Sequence, residues 1–215
     1  MANYSKPDKW ALLAQKEGYP ARSVYKLKEM DEKFKLLQLN SVKSDSFKIL
    51  DLGAAPGSWS LYILRKAAGI LKNTKKILLL AVDLSDISRQ HDKGLFDGEN
   101  FVFIKGDFTK KEVIDKIFSH APYNLIISDA APATSGNKAL DSLRSLALAE
   151  TVLNFAETSL AEGGNMLIKI FQGGETMELL KSIKGKFKEG RSFKPEACRK
   201  ESFETYFLGI GKNKF

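Results

Sequence analysis

Short apolar runs rich in β-branched residues alternate along this chain with longer stretches whose apolar positions recur every three or four residues. The runs at 47–52, 76–83, 100–105, 123–129, 165–171, 191–195 and 203–210 read as strands. Helices are expected near 58–71, 85–93, 110–118, 140–160 and 176–187. In the fourth of these, Leu146, Ala149, Leu153, Ala156 and Leu160 form one apolar stripe at helical spacing. Strands this apolar, separated by helices, imply a parallel sheet covered on both faces. The last two strands lie close in sequence and predict an antiparallel hairpin at one end of that sheet. Ahead of the first strand, Val24, Leu27, Met30, Phe34 and Leu37 recur at helical spacing within 22–39. This helix stands outside the alternating pattern, so it either packs on the sheet or contributes to a substrate face.

No repeat, low-complexity tract or linker interrupts the pattern, and 215 residues suffice for one α/β domain with a full core. The expected organisation is a single domain over 1–215, with residues 1–46 as a helical extension and 47–210 as the core. No apolar run reaches membrane-spanning length, and the residues around Lys6, Asp8 and Lys9 lack the apolar stretch of a secretory signal. The single cysteine, Cys198, excludes an internal disulfide and a cysteine-cluster metal site. A cytoplasmic, monomeric protein without a metal and without a membrane role is expected; an organelle is the other reducing compartment considered.

Charge changes this picture through its distribution. Residues 1–48 carry 10 Lys/Arg against 6 Asp/Glu, residues 49–180 carry 14 against 16, and residues 181–215 carry 10 against 4. A near-neutral core is thus flanked by two basic ends. If the fold joins them, they form one cationic face suited to a polyanion. Lys33, Lys35, Lys184, Lys186, Lys188, Arg191, Lys194, Arg199 and Lys200 are the candidate phosphate contacts.

The most informative stretch is Ile49-Leu50-Asp51-Leu52-Gly53-Ala54-Ala55-Pro56-Gly57-Ser58-Trp59-Ser60, a buried strand entering a glycine-containing turn before a helix. Ligands of parallel α/β sheets sit beyond strand carboxyl ends at such turns, where Gly53 and Gly57 admit close backbone approach. Asp83 ends the second strand, positioned to accept from both hydroxyls of a ribose. Asp107 follows the third strand, positioned to accept from an adenine amino group, with Phe108 packing on the ring. Either aspartate by itself also suits a helix N-cap. The loop lacks the three-glycine pyrophosphate fingerprint, and the interval from Gly53 to Asp83 exceeds the roughly 20 residues usual for nicotinamide dinucleotides. A nucleoside cofactor without a pyrophosphate, S-adenosylmethionine, fits better.

Lys169 interrupts Met166-Leu167-Ile168-Lys169-Ile170-Phe171, otherwise a fully buried strand. A buried ammonium must pair with a carboxylate or shift its pKa down, and such a lysine can assist proton removal from an alcohol. Asp129 ends the fourth strand, and adjacent parallel strands would bring it to the same mouth of the sheet as Lys169. Lys26 and Glu204, taken alone, read as solvated surface charges. His91 and His120 are isolated in sequence.

Five ordered motifs resemble the FtsJ (RrmJ-type) ribosomal RNA 2′-O-methyltransferase family: Arg22-Ser23-Val24-Tyr25-Lys26-Leu27, 51–60, Ser128-Asp129-Ala130-Ala131-Pro132, 167–173 and 194–206. The resemblance implies a Rossmann-like class I methyltransferase fold, a seven-stranded, mostly parallel α/β sheet with helices on both faces and an antiparallel C-terminal hairpin. It implies a catalytic Lys26, Asp129, Lys169 and Glu204, with Lys169 accepting the proton of a ribose 2′-hydroxyl. It implies S-adenosylmethionine held by Gly57, Trp59, Asp83, Asp107 and Asp129, with Gly53 in the same loop and Phe108 added by its place after Asp107, and RNA of the assembled large ribosomal subunit as substrate. Two departures stand out: Ser58 replaces a frequent second glycine, and Ala130-Ala131-Pro132-Ala133-Thr134-Ser135-Gly136 replaces a MetAlaPro-type loop. Transfer RNA or an mRNA cap as substrate, a non-catalytic RNA-binding module, and a nicotinamide-dependent dehydrogenase remain the alternatives, the last disfavoured by the missing glycines.

Overall fold

The computed structural model describes residues 7–39, 46–70, 76–174 and 176–214. Its centre is a seven-stranded sheet in the order β3-β2-β1-β4-β5-β7-β6. These strands are β1 (Phe47–Leu52), β2 (Ile77–Asp83), β3 (Phe101–Lys105), β4 (Tyr123–Ser128), β5 (Leu160–Phe171), β6 (Phe187–Phe193) and β7 (Glu204–Lys212). All pairings from β3 to β5 are parallel, and β7 lies between β5 and β6, antiparallel to both. The carboxyl ends of β1, β4 and β5 therefore share one edge with the start of β7: Leu52 stands beside Ser128, Ser128 beside Ile168, and Phe171 beside Glu204.

Both faces are covered, as the unbroken apolar strands require. Successive side chains in a strand point to opposite faces. Ile49, Leu79, Ala81, Leu125, Ile127, Leu167, Tyr206 and Leu208 share one core with α1 (Lys9–Glu17), α2 (Val24–Phe34) and α3 (Ser58–Ile70). Leu50, Leu52, Leu80, Val82, Ile126, Met166, Ile168, Ile170 and Phe207 face the other core, under α4 (Lys111–Phe118), α5 (Lys138–Ser159) and α6 (Thr176–Lys186). By the same alternation Asp51, Lys169, Glu204 and Tyr206 belong to the α2/α3 face. None of the helices among the described residues is long and apolar enough to cross a membrane.

The structure departs from the pattern-based expectation at several elements. First, the helix expected at 85–93 does not form; only a single 3-10 turn, Leu95–Asp97, follows β2 before β3. Ser and Asp residues compete for backbone hydrogen bonds, and here Asp83 Oδ1 accepts from Ser85 N while Ser88 N donates to Pro56 O. Lys93 and Gly94 then adopt positive φ. Second, α1 has no counterpart in the expected elements, although Asp8 caps its start and Gly18 ends it in the left-handed conformation. Its weak apolar face, with Ala14 as the buried residue, hid it. Third, α2 stops at Phe34 because Lys35 turns left-handed, so Leu36, Leu37 and Leu39 bury from an irregular segment. Fourth, β5 starts at Leu160 and β6 at Phe187, both earlier than expected. The helix end expected at Leu71 lies outside the described residues.

What holds α2 against α3 is a buried carboxylate. Asp31 accepts from Leu37 N at 2.8 Å and from Tyr62 Oη at 2.8 Å, and pairs with Lys66. Trp59 adds a second tie, its indole N–H donating to Ser23 O at 2.8 Å at the entrance of α2. Replacing Asp31 by Ala strands two buried donors and one ammonium, so stability should fall by about 3–5 kcal/mol. Urea unfolding should show this as a lower midpoint with unchanged slope.

Candidate active site

At the shared edge of the sheet, Lys169 leans from β5 toward the α2/α3 face and meets Asp129, the residue that follows β4. Its Nζ lies 3.1 Å from Asp129 Oδ1 and also donates to the Asp129 carbonyl oxygen. The two side chains are 9% and 18% exposed, so the pair is largely removed from water. From the first turn of α2, Lys26 Nζ reaches Glu204 Oε1 at 2.8 Å. Two ammoniums and two carboxylates, drawn from four distant segments, thus share one mouth.

Tyr206 joins them and was not anticipated from sequence. It stands opposite Lys169 in the β5–β7 register, and its hydroxyl donates to Asp129 Oδ1 at 2.6 Å. Its ring lies 6.0 Å from that of Trp59, and Lys26 Nζ sits 5.8 Å from its centroid. A usable signal existed, because residues two apart on a strand share a face and Glu204 is two residues away. Burial opposes ionisation of Asp129, but Lys169, Lys26 and the Tyr206 hydroxyl together hold its carboxyl below the usual range. Burial likewise opposes the charge on Lys26, yet Asp129 and Glu204 raise its pKa above the ordinary lysine value. Burial, then the charges of Asp129 and Glu204, keep Tyr206 a protonated donor.

A cleft of about 640 Å³ opens beside this group, beyond the ends of β1 to β4. Its wall includes Gly53, Asp83, Asp107, Phe108, Asp129 and the start of the loop after β4. Gly53 has φ 76°, and a Cβ there would lie 2.6 Å from Ala130 Cα, so only glycine lets the two loops close on each other. Both outer aspartates also brace their own turns. Asp83 accepts from Ala55 N at 2.9 Å and Ser85 N at 2.8 Å, and Asp107 from Thr109 N at 2.9 Å. The turn-holding and cleft-lining readings of these carboxylates are therefore compatible. Phe108 lines the cleft but is mostly committed to the core, where its ring meets Phe155 edge-on.

Two further residues of the expected cofactor set stand outside the lining of this cleft. Trp59 is buried between α2 and Tyr206. Gly57, at φ 100°, faces Phe96 and Ile87 at the start of α3. Both shape the loop and the placement of Lys26 without lining the cleft.

Behind the loop lies Asp51, also unanticipated, a carboxylate at the end of an apolar strand. One oxygen accepts from Ser60 Oγ at 2.7 Å; the other is buried without a hydrogen-bond partner among the described residues. Burial pushes its pKa up to about 7, with Asp129 and Asp83 adding to the shift. Asp83, Asp107 and Asp129 outnumber Arg144 on the wall of this cleft, which suits it to a ligand carrying positive charge.

A second cleft, of about 430 Å³, has Lys26 and Glu204 in its wall. The loop after β4 separates the two: Ala130 to Ala133 line the first cleft and Thr134 lines the second. The basic ends come together only in part. Arg22 donates to Ala197 O, Glu196 N donates to Glu29 at 2.8 Å, and Lys33 Nζ lies 4.2 Å from the Phe193 centroid, which joins α2 to the segment before β7. Lys184, Lys186 and Lys188 instead lie where α6 passes into β6, at the far end of the sheet from Lys169. Lys186 there pairs with Glu157 at 3.0 Å. The expectation of one cationic face joining both basic ends is corrected accordingly, because β6 runs parallel to β5 and so begins at the opposite edge.

Comparison with known proteins adds an independent line. The model of the FtsJ-like methyltransferase family matches residues 19–212. A Treponema denticola protein named Ribosomal RNA large subunit methyltransferase E is 45% identical over 207 residues, covering 96% of this chain and 96% of that protein. The protein of the same name from Borreliella afzelii is 41% identical, covering 94% and 96%. Among solved structures, a ribosomal RNA methyltransferase of Plasmodium falciparum superposes with TM-score 0.70 at 25% identity, over 92% of this chain and all of that one. Human methyltransferase-like protein 13, solved with SAH, shares the fold at TM-score 0.53 and 10% identity, over 84% and 82%.

The buried Asp51 makes a pH prediction. Its folded carboxyl titrates near 7 against an ordinary value of 3.8, so the folded chain holds the extra proton across that window. Its contribution to stability therefore declines as pH rises through the window and is level above it. Asp51→Asn should gain in thermal midpoint relative to wild type as pH is raised from roughly 5 to 8. A gap between the two proteins that stays constant with pH would contradict the assignment.

Proposed function

The chain belongs to the FtsJ-like methyltransferase family, and from that premise we propose that it moves the methyl group of S-adenosylmethionine to a ribose 2′-hydroxyl of large-subunit ribosomal RNA. The observation that carries this reading is the buried Lys169–Asp129 pair, joined by Lys26 and Glu204, at the border of two clefts. The relatives' names supply the acceptor class. The 2′-hydroxyl is also the group by which a protein distinguishes RNA from DNA.

The first cleft suits the proposed donor. Its size is in the range of cofactor sites, and its carboxylates complement a molecule with an ammonium and a sulfonium. Asp83 would accept from ribose hydroxyls, Asp107 from an adenine amino group with Phe108 beside the base, and Gly53 would leave room for the ligand at the backbone. When bound, the sulfonium supplies an already activated methyl group. The enzyme's own task is then alignment and proton management.

Lys26 is held as a cation by Asp129 and Glu204, which fits it to orient the hydroxyl oxygen and unfits it to be the base. Lys169 is the proton acceptor in this scheme: its ammonium first releases a proton to solvent, and the neutral amine then takes the proton of the ribose hydroxyl. Asp129 fixes its amine through one carboxylate oxygen and the backbone carbonyl, while Tyr206 holds that same oxygen in place. Glu204 sets the position of Lys26. Low exposure around these groups limits competition from water. Basic residues on the mouth side, among them Lys33, Lys194 and Arg199, would meet phosphates, giving an affinity that falls steeply with salt. The site of action is the cytoplasm, a reducing compartment consistent with the free thiol of Cys198.

Incubating the protein and S-adenosylmethionine with large ribosomal subunits lacking the modification, then mapping ribose methylation, tests the reading directly. Methyl transfer to a base, or none to any RNA, would refute it. Lys169→Ala should bind the donor within about twofold of wild type by calorimetry, yet lose roughly 10²–10⁴ in transfer rate. Turnover near wild type in that variant would remove Lys169 from the role of base.

A further inference from the structure

The two clefts share the loop after β4, and we infer that Asp141 is the positioning residue that holds it. From the first turn of α5 its carboxylate clasps Ser135 and Gly136, and so fixes the wall that donor and acceptor have in common. The inference rests on the methyl-transfer reading and extends it to a residue that lines neither cleft.

The loop is tied at both ends. At its start Asp129 is gripped by Lys169 and Tyr206, and Ala130 closes on Gly53. The next residues, Ala131, Pro132 and Ala133, carry no polar side-chain atoms with which to hold themselves. At the far end Asp141 Oδ1 accepts from Ser135 N and from Ser135 Oγ, each at 2.8 Å, and Oδ2 accepts from Gly136 N at 3.3 Å. Hydrogen bonds to a carboxylate are charge-assisted and stronger than those between neutral groups. These donors, the Ser135 amide foremost, hold the Asp141 carboxyl below the usual carboxylate range, and Arg144 adds to the effect. Capping of α5 does not call on this side chain, because Asn137 Oδ1 already accepts from Ala139 N and Leu140 N. Asp141 is nonetheless buried, turned in toward the loop.

The same turns of α5 are fastened to β5. Ser145 Oγ accepts from Phe171 N at 2.9 Å, and Ser142 Oγ donates to Gln172 O at 3.0 Å. A Cβ on Gly173 would lie 2.8 Å from Ser142 Cβ, so glycine lets the helix come this close. Phe171 is two residues beyond Lys169 and lines the second cleft. One helix end therefore refers the loop to the strand that carries Lys169. Thr134, the last residue before the clasp, lines the second cleft, whereas Ala130 to Ala133 line the first. A shift at Ser135 is thus a shift of the partition between the clefts. Misplacing such a wall by about 1 Å lowers a rate by roughly 10²-fold, because donor and acceptor lose their alignment.

The test uses the full chain, S-adenosylmethionine and large ribosomal subunits lacking the modification. Asp141→Ala should speed amide hydrogen exchange at Ser135 and Gly136 by about tenfold or more. It should lower kcat for methyl transfer by roughly 10²-fold, with the subunit KM within about threefold of wild type. Calorimetry should still find donor binding at full stoichiometry, which a partly unfolded preparation would not give. Asp141→Asn keeps an oxygen for the two Ser135 donors and should restore kcat to within about tenfold of wild type. Gly136→Ala acts on the loop alone, since its φ is 84° and an added Cβ meets nothing within 4 Å among the described residues. Backbone strain there should lower kcat by about tenfold, which decides the matter if Asp141→Ala folds poorly. Unchanged exchange in Asp141→Ala would overturn the clasp. If wild type transfers methyl groups and both Asp141→Ala and Gly136→Ala match its kcat, the positioning role is wrong and the methyl-transfer reading stands. If exchange rises while wild type transfers nothing, the clasp stands and the methyl-transfer reading falls.

Discussion

An ammonium inside a parallel sheet must have a carboxylate beside it, and that requirement organises this molecule. Lys169 occupies a position on β5 that alternation assigns to the packed α2/α3 face, among side chains that are otherwise apolar. Isolated there, its charge would be expensive. Asp129 answers it from the end of the neighbouring strand, at 3.1 Å, and Tyr206 answers Asp129 from the strand on the other side. Three adjacent strand ends are thereby coupled through one carboxylate. The same coupling leaves Lys26 and Glu204 as a second pair on the rim.

The supporting structure keeps this arrangement from relaxing. Lys26 is carried by a short helix whose position depends on Asp31, Tyr62, Lys66 and the Trp59–Ser23 hydrogen bond. Residues such as Trp59 and Asp31 touch neither cleft, yet they set where the ammonium of Lys26 stands. On the other side, the loop after β4 closes against Gly53 so tightly that a Cβ would not fit. That loop lines one cleft with its first residues and the other with Thr134. A protein with two ligands to bring together thus does so with one loop and four charged side chains. The charge distribution differs between the clefts: Asp83, Asp107 and Asp129 outnumber Arg144 at the first, whereas Arg22, Lys26 and Arg199 stand with Glu201 and Glu204 at the second.

Much of the architecture was legible from the chain. Seven strands alternating with helices, buried on both faces, follow from apolar runs of strand length, and the observed sheet has that form. Lys169 announced itself as a charge in an apolar strand, and Asp129 as a carboxylate at the end of the adjacent one. The glycine turn and the aspartates after β2 and β3 pointed to the first cleft. The failures have physical causes. The segment after β2 lost its helix because serine and aspartate side chains captured its backbone. The first helix escaped notice because little of it is buried.

What local sequence determines here is whatever acts over a few residues or one period: strand alternation, helix stripes, caps, and the anomaly of a lone charge or carboxylate in an apolar run. Partnership across the fold is a different matter. That Tyr206 would hold Asp129, that Lys26 would find Glu204 some 178 positions away, and that Arg22 and Arg199 would line one cleft depend on strand order and helix docking. So does the dispersal of the basic ends, since the direction of β6 sends Lys184, Lys186 and Lys188 to the far edge. Those outcomes come from burying apolar surface over the whole chain at once, a global constraint that no window of sequence contains.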